Sequence, residues 1–464
     1  MLRSLVGSEM CIRDSTTGTK NIAVGNYALQ QCTTGDFNIG IGYNSLGGLT
    51  TGGQNIAIGD AALEPCTGDN NTACGFRASY ANTSGNENTA YGQKSLYTNT
   101  VGDRNVAVGS WALYDYNPSS NEDSYNTAVG YHCLGNDTTG AYNTAVGGLA
   151  LEDNTTGGYN TAIGYQAMLD STTSSYNTAV GRYALSALTT GSEDVAIGNW
   201  ALKAATTAER SVAVGSYAMD AVTTSNWCVA IGYEALTDLT TGNYNIAVGY
   251  QALANVSTTA DNVAVGLRAL KDNTAANNTA VGNYALEANT TGTRNTALGR
   301  SAASAVTDAE DTTAVGYNGL AAVTTGERNT CVGSYAGDGI TTTSNNVAIG
   351  YAALTDVSNS GAQNTAVGAY AGAELEGGSN NTLMGYYSGV NFTTGSENCA
   401  YGRDSLRTGT GTSYNTAIGY NTLYNAGGNG YNTACGYSAG FDNTTGENNT
   451  FIGYNAGRSS SPSG

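Results

Sequence analysis

Aromatic side chains recur at fixed intervals in this chain and are its strongest candidates for binding chemistry. Tyrosine outnumbers phenylalanine, with 32 residues against 5. Flat rings with polar tips can stack on sugars or anchor a protein partner. The candidate surface residues are Trp111, Tyr165, Tyr183, Trp200, Tyr217, Tyr233, Tyr250, Tyr284, Tyr420 and Tyr437. The alternative is that these rings stack on one another between neighbouring repeats or lie in an oligomer interface.

Residues for catalysis are scarce. His132 is the single histidine, and its place on a bend predicts a solvated side chain rather than part of a triad or a metal site. Acidic residues such as Glu122 and Asp123 lack the Gly-Gly-x-Gly-x-Asp spacing of a calcium-binding repeat. We therefore expect no enzyme activity, no cofactor and no metal.

The charge of the chain excludes several classes of partner. The net charge is −19 and only 11% of residues are charged. A nucleic-acid groove needs clustered Lys and Arg, and docking on anionic lipid needs a basic surface. The chain is also too polar for a membrane span. We expect neither nucleic-acid binding nor membrane insertion.

A short repeat fixes where the rings stand. The stretch from Asn160 to Met168, reading Asn-Thr-Ala-Ile-Gly-Tyr-Gln-Ala-Met, recurs along the chain in 26 copies, with a step of 17 residues in 21 of 25 intervals. A fixed period of this kind marks a solenoid. We number each repeat, or coil, as positions 1 to 17 with its marker glycine at position 5. The candidate rings then stand at positions 6 and 7.

The first five positions predict a short strand. Position 1 is Asn in 22 coils and position 4 is Val or Ile in 20, and the alternation places positions 2 and 4 on one face. The Asn column can hydrogen-bond to the turn of the next coil, and the marker glycine permits a positive φ or a close backbone approach. The ladder residues are Asn21, Asn143, Asn160, Asn177, Gly147, Gly164 and Gly181.

The rest of the coil predicts a second strand and a variable arc. Position 9 is Leu in 17 coils, but turn residues follow within a few positions and leave no room for a helix. We therefore expect two short parallel strands per coil, with all length changes in positions 10 to 17. Positions 2, 3, 4, 5, 8 and 9 are never charged. This exclusion indicates the interior and the packed faces, because a buried unpaired charge costs several kcal/mol.

The nine cysteines are predicted to be small apolar fillers rather than disulfides or metal ligands. No two adjacent coils carry Cys at the same position. Cys32 and Cys66 share position 12 but stand two coils apart, roughly 9 to 10 Å at the spacing of paired strands. That distance is too long for a disulfide.

The chain divides into three predicted segments. Residues 1–15 do not fit the repeat and resemble translated adapter read-through, so we interpret them as a non-native leader. Residues 16–457 form the β-solenoid, and residues 458–464 form a disordered tail. Each thin coil buries little surface by itself, so lateral packing of several copies around an axis is expected.

Several coils resemble known repeat families. Residues 211–215, Ser-Val-Ala-Val-Gly, and residues 194–198, Asp-Val-Ala-Ile-Gly, resemble the head repeat of trimeric autotransporter adhesins, the YadA-like head. The majority form Asn-Thr-Ala-Val-Gly-Tyr-x-Ala-Leu also resembles repeats of bacteriophage tail-fibre-like proteins. The resemblance covers about residues 21–457. The 17-residue period is longer than the usual adhesin coil, and no neck, coiled-coil stalk or membrane anchor is recognisable.

This resemblance implies a left-handed parallel β-roll that is a homotrimer, displayed outside the cell on a cell surface or virion. The expected function is a structural, adhesive rod that binds a host surface glycan or an extracellular matrix protein. A bacteriophage tail-fibre shaft that binds a receptor is the alternative. A glycan-degrading fibre would need paired carboxylates in a cleft. An ice-binding solenoid would need an unbroken Thr array, whereas position 2 is Thr in only 15 coils.

Overall fold

A computed structural model describes residues 17–120, 123–355, 361–427 and 430–458 of the chain. The predicted leader, Glu122 and residues 459–464 of the predicted tail lie outside these ranges. All regular elements in the described ranges are β-strands. These ranges contain no helix that could cross a membrane. The chain divides into two compact units, unit 1 ending at Ile231 and unit 2 beginning at Gly232.

Each unit contains a series of three-residue strands, one at positions 2 to 4 of each coil. Unit 1 contains β1 (Ile22–Val24), β2 (Ile39–Ile41), β3 (Ile56–Ile58), β4 (Thr72–Cys74), β5 (Thr89–Tyr91), β6 (Val106–Val108), β7 (Thr127–Val129), β8 (Thr144–Val146), β9 (Thr161–Ile163), β10 (Thr178–Val180), β11 (Val195–Ile197), β12 (Val212–Val214) and β13 (Val229–Ile231). Unit 2 contains β14 (Ile246–Val248), β15 (Val263–Val265), β16 (Thr279–Val281), β17 (Thr296–Leu298), β18 (Thr313–Val315), β19 (Thr330–Val332), β20 (Val347–Ile349), β21 (Thr365–Val367), β22 (Thr382–Met384), β23 (Cys399–Tyr401), β24 (Thr416–Ile418), β25 (Thr433–Cys435) and β26 (Thr450–Ile452).

Within each unit, consecutive strands pair in parallel and in register. Ala162 of β9 lies opposite Ala179 of β10, for example. The longest interval, 21 residues, leaves the register intact, because Ala107 of β6 still pairs with Ala128 of β7. The prediction of an all-β parallel solenoid of about 26 coils is confirmed. Inserted and deleted residues lie in the arc of positions 10 to 17, so they do not interrupt a strand.

The predicted second strand is wrong. Positions 6 to 11 of a typical coil form successive turns, because positions 7 and 9 have left-handed backbone, with φ of 58° at Tyr183 and 51° at Leu185. The backbone N–H of Leu185 donates to the carbonyl of Ala201 in the next coil at 3.0 Å, and that of Tyr183 to the carbonyl of Tyr165 at 3.1 Å. Hydrogen bonds between coils therefore hold the turns, and they offset the cost of left-handed backbone at residues that carry side chains.

The interior of a coil is formed by positions 3, 8 and 9. In one coil these are Ala162, Ala167 and Met168, all fully buried. Positions 2 and 4 share a face, as predicted, but that face points outward, and Ile163 is 40% exposed. The absence of charge at positions 3, 8 and 9 therefore reflects the interior. At positions 2 and 4 the absence of charged residues instead gives an outer face that is exposed but uncharged.

The marker glycines serve both purposes that were predicted for them. Gly164 has a φ of +140°, and a Cβ there would lie 2.5 Å from the carbonyl oxygen of Gly181. Gly147 stands in the same relation to Gly164, with a φ of +133° and a distance of 2.6 Å. A side chain at position 5 would therefore clash with the backbone of the next coil.

The Asn column makes two kinds of hydrogen bond. The side-chain oxygen of Asn160 accepts from the backbone N–H of Asn177 at 3.1 Å, and Asn143 accepts from the N–H of Asn160 at 3.0 Å. The Asn160 amide donates to the carbonyl of Ser174, at position 15 of its own coil, at 2.8 Å. Asn21 repeats this bond with Gly35 at 2.7 Å. The amide bond to the turn is thus within a coil, and the carbonyl oxygen links neighbouring coils.

The eight described cysteines are all free, and Cys11 lies outside the described residues. Cys32, Cys66, Cys133, Cys228 and Cys331 are buried fillers, as predicted. Burial raises the pKa of the Cys66, Cys133 and Cys331 thiols to about 12. The filler interpretation is wrong for the exposed Cys399 and Cys435, which stand at positions 2 and 4 of the outer face.

Candidate binding surfaces

The aromatic residues at positions 6 and 7 differ in exposure. The candidate rings at position 6 are exposed, and the candidate rings at position 7 are half-buried. The exposed rings are Tyr165, Tyr233, Tyr250, Tyr420 and Tyr437. The half-buried rings are Trp111, Tyr183, Trp200, Tyr217 and Tyr284. These five ring faces at position 7 are therefore only partly accessible to a partner.

In unit 1, four of the candidate rings contact one another across consecutive coils. The ring centroids are 5.8 Å apart between Tyr165 and Tyr183, 6.1 Å between Tyr183 and Trp200, and 5.6 Å between Trp200 and Tyr217, all in edge-to-face geometry. Lys203 lies 3.8 Å over the Trp200 ring. The structure thus shows the stacking between coils that the sequence left as the alternative.

Trp111 belongs to a separate cluster that includes the single histidine. Its ring lies 4.7 Å from that of Tyr114 and 6.1 Å from that of His132. The His132 side chain is only 20% exposed, and its Nδ1 lies 3.1 Å from Glu152 Oε1. The expectation of a solvated histidine is therefore wrong, because its neighbours cover it. Burial raises the pKa of Glu152 and of Asp115.

In unit 2, the candidate rings at position 6 form parallel stacks. The centroids of Tyr233 and Tyr250 lie 5.6 Å apart, and those of Tyr420 and Tyr437 lie 5.1 Å apart. Tyr454 extends the second stack at 5.2 Å. Tyr284 is half-buried, and its backbone N–H donates to the carbonyl of Leu267 at 2.8 Å.

Sequence reasoning missed a third aromatic column, at position 17. Tyr125, Tyr142, Tyr159 and Tyr176 stack in four consecutive coils of unit 1 with their rings nearly parallel. The signal was the recurrent pair Tyr-Asn, which stands directly before seven strands, four of them consecutive. It was overlooked because position 17 belongs to the variable arc. Elsewhere the column carries a second pair of stacked rings, Tyr414 with Tyr431, and the ion pairs Arg104 with Glu87 and Arg210 with Glu193.

The outer face of the strands is a further candidate surface. All 26 residues at position 4 are Val, Ile, Leu, Met, Cys or Tyr. Ile163 and Ile197 of unit 1 are each 40% exposed, and Leu298 and Ile418 of unit 2 are similarly accessible. Thr, Val, Ile or Cys at position 2 completes this face. The result in each unit is an uncharged, largely apolar stripe along the strands.

Two buried carboxylates stand at positions 1 and 12 of their coils. Asp194 occupies position 1, and its Oδ1 accepts from the backbone N–H of Ser211 at 2.8 Å. Burial raises the pKa of Asp194 to about 7. Asp137 occupies position 12, and its Oδ1 accepts from the N–H of Gly140 at 2.8 Å. Burial raises the Asp137 pKa well above its ordinary value.

Within the described ranges, no cluster of three or more His, Cys, Asp or Glu residues could hold a metal ion. The candidate site is therefore a set of surfaces: aromatic columns at positions 6, 7 and 17, and the apolar outer face. No protein-family model matches this chain, and no curated protein is significantly similar to it in sequence.

Proposed function

We propose that this chain is a structural, adhesive protein that acts as a homotrimer on a cell surface or virion. The coil would be left-handed, as in the YadA-like heads and tail-fibre repeats that the sequence resembles. The observation that supports this proposal is the uncharged, exposed face at positions 2 and 4. An extended apolar face is characteristic of a protein interface.

The area of this face suits a stable association. A three-residue strand is about 10 Å long, and neighbouring strands lie about 4.8 Å apart. Thirteen strands therefore offer roughly 600 Å² in each unit. A standard interface buries about 800 Å² per partner. The face of one unit alone therefore supplies about three quarters of that area.

A second copy of the same chain is the occupant that best fits the face. The side chains of positions 2 and 4 repeat at every paired strand, as in the register of Thr161, Ala162 and Ile163 with Thr178, Ala179 and Val180. A partner that contacts every row needs the same axial spacing, and a copy of this chain has it. Cyclic association of copies is the common form of homo-oligomer.

Adhesion would use the columns that stay exposed beside this interface. Exposed rings such as Tyr165, Tyr233 and Tyr420 recur on many coils. Many weak contacts to a host glycan or a matrix protein would add through multivalency. The proposal involves no catalysis and no cofactor.

The interface is tested by placing charge on the outer face. In residues 16–464, the double variant Ile163→Asp and Ile197→Asp should dissociate the trimer into single chains, because two carboxylates per copy would be buried between copies. The matched control is Thr173→Asp with Thr207→Asp, exposed side chains in the same two coils, which should stay trimeric. Light scattering coupled to size-exclusion chromatography measures the mass. A trimer that survives in the first variant contradicts the proposed interface.

A further inference from the structure

The tyrosine column at position 17 forms a flat strip of exposed rings. The centroids of Tyr125, Tyr142, Tyr159 and Tyr176 are separated by 5.7, 4.8 and 5.0 Å, and successive ring planes differ by 23°, 8° and 7°. Each residue is between 43% and 61% exposed. The strip is about 15 Å long from the first ring to the last.

The backbone holds these rings in place before any ligand arrives. All four residues have left-handed φ values, from 47° to 64°. The N–H of Tyr142 donates to the carbonyl of Ser124 at 2.7 Å, and that of Tyr159 to the carbonyl of Ala141 at 3.0 Å. Because the pairing of coils sets the ring spacing, a ligand would bind with little loss of conformational entropy in the protein.

The stacking decides which part of each ring a ligand can reach. The faces inside the strip cover one another, so a sugar that stacks on a ring face would fit only at an end of the strip. The strip presents a row of ring edges and hydroxyl groups instead. A flat aromatic system that lies along these edges gains van der Waals contact with each ring. A flat conjugated molecule that lies along the row can contact several edges at once.

Charge around the strip favours a cationic ligand. Glu193 follows Tyr176 in the column, and at this end of the strip Arg210 pairs with both Glu193 and Glu209, so two carboxylates face one guanidinium. Beside Tyr142, a cavity of about 300 Å³ is lined by Tyr116, Pro118 and Asp123, among other residues. Arg104 pairs with Glu87 and Asp123 at the other end. Its positive charge is therefore already matched by two carboxylates.

We propose that this tyrosine strip binds flat, elongated, cationic aromatic molecules whose long axis lies along the stack. The contacts are aromatic edges along the strip, with electrostatic attraction from the acidic surroundings. This site is independent of the proposed trimer, because it uses the position 17 rings of a single chain.

Thioflavin T, a flat and elongated cation, is a suitable probe for residues 16–464. Fluorescence titration should show saturable binding. Tyr142→Ala combined with Tyr159→Ala removes the centre of the strip and should weaken the affinity at least about tenfold. Tyr142→Phe combined with Tyr159→Phe keeps the ring edges and should retain the affinity within about twofold. Circular dichroism confirms that each variant keeps the β-solenoid.

The matched control is Phe37→Ala with Phe76→Ala, which removes two exposed rings outside the strip and should leave the affinity unchanged. Congo red has a similar flat and elongated shape but carries two negative charges, so it should bind at least about tenfold more weakly. The proposal is overturned if thioflavin T does not bind, or if the strip and control variants lose the same affinity. Equal affinity for the two dyes would overturn the preference for cations.

Discussion

The carboxylate of Asp194 accepts a hydrogen bond from the backbone N–H of Ser211 at 2.8 Å, in the place that a neutral Asn side chain occupies in most coils. The geometry of the ladder is preserved, since an Asn oxygen would accept the same bond. The charge is the difference. Asp194 is buried, and its pKa rises from 3.8 to about 7.

This pKa makes stability depend on pH. Below about pH 4 both the folded and the unfolded chain hold the proton, and above about pH 7 neither does. Between these values the unfolded chain ionises while the folded chain keeps the proton, so the free energy of unfolding falls as pH rises. We expect Asp194→Asn to remove this loss and to raise stability at pH 8 by up to about 4 kcal/mol.

Urea unfolding of unit 1, followed at pH 3 and at pH 8, measures this effect. The variant and the parent should differ at pH 8 and converge at pH 3. Asp60→Asn, which changes an exposed carboxylate at position 6, is the control and should not alter the profile. A gain of equal size at both pH values would show that the carboxylate charge is not the cause.

The marker glycines give a second prediction. Gly164→Ala should destabilise the chain by at least about 3 kcal/mol, because its φ is +140° and the new Cβ would meet the carbonyl of Gly181. Gly148→Ala is the control, since the nearest atom to its Cβ is a side-chain carbon of Tyr165 at 3.7 Å. That change should cost less than about 0.5 kcal/mol. Thermal unfolding compares the two variants, and equal midpoints would count against the close approach of the coils.

The Asn ladder gives a third prediction. Asn160→Ala removes the acceptor for the N–H of Asn177 and the donor to the carbonyl of Ser174. Two buried backbone groups are then left unpaired, and we expect a loss of about 2 to 4 kcal/mol. Thr156→Ala, at an exposed position of the preceding coil, should change stability little. Hydrogen exchange at the Asn177 amide should accelerate in the first variant only, and an unchanged rate would argue against the ladder bond.

The sequence predicted those parts of the coil that follow from local pattern. Alternation at Thr161 to Ile163 indicated the strand, and the invariant glycine indicated a backbone constraint. The second strand was wrong because residues such as Leu185 take left-handed backbone, which no local preference of leucine suggests. This left-handed backbone is stabilised by hydrogen bonds between coils. The tyrosine strip was missed for a related reason, since stacking of Tyr142 on Tyr159 depends on the register between coils.

The exposed cysteines report on the outer face. Cys399 and Cys435 stand at positions 2 and 4, where the proposed trimer would cover them. We expect slow maleimide labelling of both thiols in the native protein and fast labelling once the subunits separate. Cys66 is buried inside its coil and should remain unlabelled until the chain unfolds. Thr156→Cys introduces an accessible thiol as the control. If Cys435 is labelled as fast as this control thiol, the outer face is exposed to solvent and the proposed trimer interface is contradicted.

Sedimentation equilibrium of residues 16–464 tests the association of copies through the outer face most directly. The account predicts one species with close to three times the mass of the chain, which is 47.2 kDa for all 464 residues. A species with the mass of a single chain, stable across the accessible concentration range, would contradict it.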